Sequence, residues 1–263
     1  MRSLMMTMKN KKVNPNECFQ CGKPVAADQP DSIRWEDSEV VYCNEQCWVD
    51  RRAETERMRL WTTAVHEAGH VLGARLGKRF IKNATIVPSK KFLGCVRSVP
   101  DLDKPYKEAH AYSIEEWLLG HAAVVEFGID HVDGYGHSYD YEQVAKMLKE
   151  PIRDAKSKAW AERTGIYGRC VVGGEERKHT PYTTWDIRPR YSYVNGKTIN
   201  HVKDWQKSVR VTKSEWKPEF DKQVRKARRL AKQYRAYIER VAELLLQQET
   251  LTDDMIPQLE VAQ

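Results

Sequence analysis

The chain has 263 residues, with 44 Lys and Arg against 37 Asp and Glu, a formal charge of +7 at pH 7. That length holds one to two domains with a real core, and a surplus of this size describes a solvated basic surface, so nucleic acid is a partner that is allowed but not favoured. No run approaches the ~20 apolar residues of a membrane span, and Met1 to Lys12 lacks the apolar stretch of about 7–15 residues in a signal peptide, so no transmembrane segment is expected and the expected location is the cytoplasm.

The first feature along the chain is a pair of cysteine pairs. Cys18-Phe19-Gln20-Cys21 is C-x-x-C, and Cys43-Asn44-Glu45-Gln46-Cys47 is C-x-x-x-C, with 21 residues between them. Such a knuckle turns two thiolates to a common centre, and the second pair can open a helix. Four thiolates make a closed tetrahedral site, the chemistry of a structural zinc. Trp35, Val40, Val41 and Tyr42 read as two short strands around a turn at Asp37-Ser38-Glu39. About 50 residues bury little core, so the metal supplies much of the folding energy. Cys95 and Cys170 have no partner in the pattern and read as small buried hydrophobes.

Val49 to Arg75 reads as one helix or two. It carries His66-Glu67-Ala68-Gly69-His70, an H-E-x-x-H pattern, beside the apolar Ala64, Val65, Val71, Leu72 and Leu76. Residues i and i+4 share a helix face, so His66 and His70 can hold one zinc ion while Glu67 reaches a water as general base. Ala84-Thr85-Ile86-Val87 and Phe92 to Arg97 read as strand, turn, strand, with Pro88 suiting an edge. An edge at Ala84, Thr85, Ile86 and Val87 could bind an extended peptide substrate by strand addition. Ser113 to Phe127 reads as an apolar helix capped by Ser113, with Glu116 completing a capping box.

A third ligand is required. In Gly134 to Glu142 a glycine-rich loop leads into a helix that Ser138 can cap, with Asp140 in its first turn. Asp140, His137 and Glu126 are all candidates, and spacing does not choose among them. Pro151 is followed by a charged helical stretch, Ile152 to Arg163. Gly165 to Asn200 is rich in aromatics, Gly and Pro, with a hairpin predicted around Asn195-Gly196. Lys217 to Gln248 reads as one long amphipathic helix with a basic first half from Lys222 to Arg235.

Five segments resemble, in order, the peptidase domain of FtsH-type ATP-dependent zinc proteases. They are Ala64 to Leu72; Ala84-Thr85-Ile86-Val87-Pro88 with Leu93-Gly94-Cys95; Leu119-Gly120-His121-Ala122-Ala123 with Phe127-Gly128; Gly136 to Asp140; and Val241 to Leu251. The resemblance implies zinc held by His66, His70 and Asp140, with Glu67 activating water, and so favours Asp140 over His137. It also implies a homo-oligomer. The family's ATPase module and membrane anchor are not in this sequence, so energy coupling would need a separate ATPase partner. The family's A-A-E-E stands here as Ala122-Ala123-Val124-Val125, without the acidic pair.

The expected fold is therefore α+β, mainly α-helical. A four-cysteine finger spans residues 1–50, and a zincin-like peptidase domain with a small hairpin spans 51–263, elaborated at about 165–210. The expected function is zinc-dependent endopeptidase action on flexible or unfolded proteins, independent of ATP by itself, with one catalytic and one structural zinc. The alternative is an inactive zinc-finger regulatory protein on a peptidase fold, binding protein or nucleic acid.

Overall fold

The computed structural model describes residues 14, 16–26, 29–34, 40–90, 92–99, 106–129, 135–164, 169–172, 175–178, 192–194, 197–199 and 206–259. The protein is mainly helical with small antiparallel sheets. It divides into two compact units, Met1–Thr62 and Thr63–Gln263. The division falls inside a helix, beyond the expected boundary after residue 50.

In the first unit, strands β1 (Ile33–Arg34) and β2 (Val41–Tyr42) pair antiparallel, Ile33 opposite Tyr42. The loop from Cys18 closes on itself: Gly22 donates its N–H to the Cys18 carbonyl at 2.8 Å, and Cys18 donates to Lys23 at 2.8 Å. Gly22 has φ of 75°, a left-handed conformation that glycine adopts without steric cost. Cys18, Val25, Val41 and Tyr42 form a small buried core. Helix α1 (Glu45–Leu76) begins beside them. Asn44 starts it, its Oδ1 accepting the Cys47 N–H at 2.9 Å as an N-cap does. The helical span is unbroken from Glu45 to Leu76, so Val49 to Arg75 is one helix rather than two.

In the second unit, the last part of α1 places Ala64, Val65, Ala68, Val71 and Leu72 in the core. Strands β3 (Phe80–Thr85) and β4 (Cys95–Val99) form the expected hairpin. A third strand, β9 (Thr250–Leu251), pairs with the other side of β3, Ala84 opposite Leu251 and Thr85 opposite Thr250. The order β4-β3-β9 makes β3 the central strand. That pairing corrects the expectation of a free edge at Ala84 and Thr85, while Val87 lies past the strand and is exposed. Ala84 and Ile86 are buried, and Ile86 donates its N–H to Glu249 at 2.9 Å.

Helix α2 (Tyr106–Glu126) begins seven residues before Ser113, so Ser113 and Glu116 do not form the predicted capping box. Gly69 and Gly73 of α1 face it at contact distance. A Cβ at Gly69 would lie 2.3 Å from the Leu119 carbonyl oxygen, and one at Gly73 would lie 2.5 Å from Glu116 Cα. Helix α3 (Tyr135–Thr164) runs through Pro151 without ending. An interior proline costs about 3 kcal/mol, but buried residues anchor both sides of it, Val144 before and Ser157 and Trp160 after. Ser138 is inside this helix rather than at its cap.

Strands β5 (Arg169–Val172) and β6 (Glu175–Lys178) form a hairpin that was not expected. Strands β7 (Ser192–Val194) and β8 (Lys197–Ile199) flank the predicted Asn195-Gly196 turn, whose two residues lie outside the described ones. The long C-terminal helix is two helices, α4 (Lys213–Gln233) and α5 (Arg235–Gln248), meeting at Tyr234. Arg235, just past the break, donates to the Glu126 carbonyl at 2.5 Å and lies 4.2 Å over the Phe127 ring. No helix among the described residues is long and apolar enough to cross a membrane.

Candidate metal centres

His66 and His70 leave the same face of α1, one turn apart, and Asp140 enters from α3. His66 Nε2 and His70 Nε2 are 3.0 Å apart, and Asp140 Oδ2 lies 3.1 Å from the first and 3.5 Å from the second. Asp140 Oδ2 is buried and accepts no hydrogen bond; its approaches to the imidazoles are contacts of charge. Three lone-pair atoms so placed need a cation among them. A tetrahedron with bonds of ~2.0–2.1 Å to N and O has edges of about 3.3 Å, and the three separations, 3.0, 3.1 and 3.5 Å, bracket that value. The donor set fits a divalent metal ion and leaves one tetrahedral position for water.

The imidazole of His70 is oriented from behind. Its Nδ1 lies 2.7 Å from the Glu116 carbonyl oxygen, so Nδ1 carries the proton and Nε2 presents its lone pair to the centre. Gly120, one turn further along α2, presses on the same ring: a Cβ there would lie 2.6 Å from His70 Nε2 and 3.0 Å from His66 Cε1. Burial disfavours a charge on His70, but the Asp140 carboxylate outweighs it. With Glu67 and the Glu116 carbonyl, Asp140 lifts His70 to about 10 in the metal-free protein. Burial alone would raise Asp140; the two imidazoles instead hold it below the ordinary carboxylate range. In the absence of metal a proton thus takes the cation's place.

Glu67 is 5% exposed. Burial pushes its carboxyl up to about 7, the charge of Asp140 adding and that of His70 opposing. Its carboxylate is confined by Gly94, where a Cβ would come within 2.6 Å of Oε1. Around the centre runs an apolar ledge. Trp117 packs edge-on to His70 at 6.0 Å, Tyr139 on Trp117 at 5.8 Å and Phe92 on Tyr139 at 6.0 Å. Phe92, Leu93 and Tyr139 are each over two-fifths exposed.

The four cysteines of the first unit also converge. Cys21 Sγ lies 3.6 Å from Cys43 Sγ, and Cys43 Sγ 3.4 Å from Cys47 Sγ. All four sulfurs lie within 4.8 Å of one another. Metal–sulfur bonds of ~2.3 Å imply tetrahedral edges of about 3.8 Å, close to what is seen. Burial raises the Cys18 thiol, but backbone N–H groups in the knuckle, at Cys21, Cys43 and Gln20, outweigh it and lower Cys18 to about 6. Burial pushes Cys43 and Cys47 up, and Cys18 and Cys21 add to the shift in each. A cluster that resists sharing negative charge when empty is one that a cation completes.

The predicted residues thus fall into three groups. His66, Glu67, His70 and Asp140 meet at one centre, and Cys18, Cys21, Cys43 and Cys47 at another. Ala84 and Thr85 sit between β4 and β9, Ile86 follows them buried, and Val87, past the strand and exposed, donates its N–H to Thr85 Oγ1 at 3.1 Å. The side chain of His137 lies outside those described, and Glu126 accepts from Arg235 at 3.1 Å. Sequence reasoning did not reach Glu116, Gly94 or Gly120 as parts of the site. The two glycines stood inside the family-like segments, but nothing local marked their contacts. No protein-family model and no curated protein matches the chain.

Proposed function

We propose that the protein is a zinc-dependent endopeptidase of flexible or unfolded polypeptides, zincin-like in its catalytic unit and similar to the peptidase domain of FtsH-type proteases. The observation that carries this reading is Glu67, a buried carboxyl held beside a two-histidine, one-aspartate centre with tetrahedral spacing. A bound zinc ion would supply Lewis acidity toward water and the scissile carbonyl. His66, His70 and Asp140 would hold it there. Glu67 takes a proton from the attacking water and returns it to the leaving amine, the role of a carboxylate placed beside a metal-bound water. β4 and β9 are the two edge strands of the three-stranded sheet, and β4, which pairs only with β3 among the described residues, follows Gly94 directly. An extended peptide adding to that edge runs past Glu67, with the ledge of Phe92, Leu93 and Tyr139 to receive apolar side chains.

The first unit carries a structural zinc on its four cysteines, which suits a reducing compartment such as the cytoplasm. A second reading, a binding or regulatory role, draws on that unit. A cavity of about 540 Å³ is lined by Phe19, Tyr42, Trp48, Arg51, Arg52, Thr55 and Glu56, a composition found at recognition surfaces.

Zinc content measured beside hydrolysis tests the ligand set. Asp140→Asn is expected to reduce bound zinc from two ions per chain to one and to abolish cleavage of an unfolded labelled protein. If His137→Ala does both and Asp140→Asn neither, the assignment of the third ligand is wrong.

A further inference from the structure

Glu116 has a second role beyond its carbonyl. Its side chain is held from two directions: Arg79 Nη1 donates to Oε2 at 2.6 Å, and Ser98 Oγ donates to Oε1 at 2.7 Å. Arg79 also donates from Nη2 to Ser113 Oγ at 2.5 Å. The Arg79 and Glu116 side chains are only 10% and 13% exposed. Ser113 and Glu116, three residues apart, look like a capping box, but α2 starts at Tyr106, and both side chains turn to Arg79 instead. Glu116 therefore joins three elements: α2, to which it belongs; the turn after α1, through Arg79; and β4, through Ser98.

The same residue bears on the metal ligand. Its carbonyl oxygen lies 2.7 Å from His70 Nδ1, and Gly120 lies against the Cε1–Nε2 edge of that ring. A slide of α2 along its axis would lengthen the first contact and change the second. Nothing in a helix backbone fixes its position along its own axis; side chains must do so. Gly73 lets Glu116 Cα sit directly on α1, and a charge-assisted, nearly buried pair is among the stronger polar restraints available.

We infer that Arg79 and Glu116 form a positioning clamp for the metal ligand His70, setting the place of the α2 turn whose carbonyl orients the imidazole. This rests on the reading of His66, His70 and Asp140 as a metal site. Both are positioning residues, acting through His70 without touching substrate.

The test uses the full chain. Zinc affinity is measured by competition with a chromophoric chelator, and site geometry from the visible absorption of cobalt(II) substituted into each centre. Arg79→Met and Glu116→Gln keep the carbonyl of residue 116 but release the clamp. Each is expected to weaken the histidine–aspartate site about 10- to 100-fold, to alter its cobalt spectrum, and to leave the four-cysteine site unchanged. Arg79→Lys, which keeps the charge but not the reach to Ser113, should recover part of the loss. Ser98→Ala removes one hydrogen bond and should weaken zinc in the same direction by less, which keeps the inference testable should the charge variants not fold. Wild-type affinity and spectrum in Arg79→Met and Glu116→Gln would overturn the clamp, as would equal weakening at both sites. A wild-type protein that binds metal at the cysteines alone would overturn the metal reading and the clamp together. One that binds two metals but cleaves nothing would leave the clamp standing and remove only the peptidase reading.

Discussion

Around the proposed general base, empty space is as specific as any side chain. Gly94 leaves room for the Glu67 side chain, and the nearest atoms to a Cβ built there are its Oε1, Cγ and Cδ, at 2.6 to 2.9 Å. Gly94→Ala is therefore expected to displace Glu67 while sparing the ligands. Displacements near an ångström cost about 10²-fold in rate, so hydrolysis should fall by that order with two zinc ions still bound, a split that metal analysis beside steady-state kinetics would reveal. Loss of zinc in that variant would show that Gly94 supports the metal instead. At this scale the sequence was informative where chemistry sets a local spacing. H-E-x-x-H and C-x-x-C are legible because ligands four or three residues apart share a helix turn or a knuckle. Asp140 was legible only through resemblance, since 70 residues separate it from His70 and chain distance carries no geometry. Glu116 was misread as a cap because the start of α2 was placed seven residues too late.

The elements themselves are held by a few well-placed polar joints. Helix α4 starts with Thr212, whose backbone N–H and hydroxyl both reach Glu215 Oε2, at 2.7 and 2.8 Å. Lys156 of α3 donates to the same carboxylate at 2.9 Å. These partners, Lys156 first, lower Glu215 to about 2. A carboxyl depressed on folding contributes stability that is present above its unfolded value, about 4.3, and is lost as pH falls through its folded value. The urea midpoint of Glu215→Gln should therefore lie below wild type at neutral pH. The gap should narrow as pH falls from about 4.3 toward 2. A gap that stays constant with pH would mean that the charge of Glu215 contributes nothing. Element prediction from sequence failed where tertiary contacts decide. Pro151 ends a helix by local rule, but burial on both sides carries α3 through it. Strand β9 is two residues long, too short for any period, yet it turns β3 from an edge into a centre.

At the scale of the molecule, the two candidate metal centres lie in separate units with separate cores. The first unit buries only a handful of hydrophobic residues, so its metal should supply most of its folding energy, whereas the second has a helical core of its own. Cys18→Ser is thus expected to remove one zinc and the protease resistance of the first unit. The histidine–aspartate zinc should remain, with hydrolysis of an unfolded substrate within about two- to threefold of wild type, the usual context spread of a distant change. Loss of both metals together would show that the second unit needs the first. The ligand patterns announce two separate clusters, but the division of the units after Thr62, inside α1, carries no signal in the sequence. The hairpins of residues 169–199 were half readable: Asn195-Gly196 announces one, while no expectation was drawn from Gly173-Gly174, between β5 and β6.

An unfolded, fluorescently labelled protein is incubated without ATP with purified wild type and with Glu67→Gln, each carrying two zinc ions. General-base catalysis contributes about 10²–10⁴-fold, so wild type should cleave, a zinc chelator should stop it, and the variant should be slower by at least the lower figure. Equal rates for the two proteins, or no cleavage by zinc-loaded wild type, would contradict the assignment of Glu67 and the peptidase reading with it.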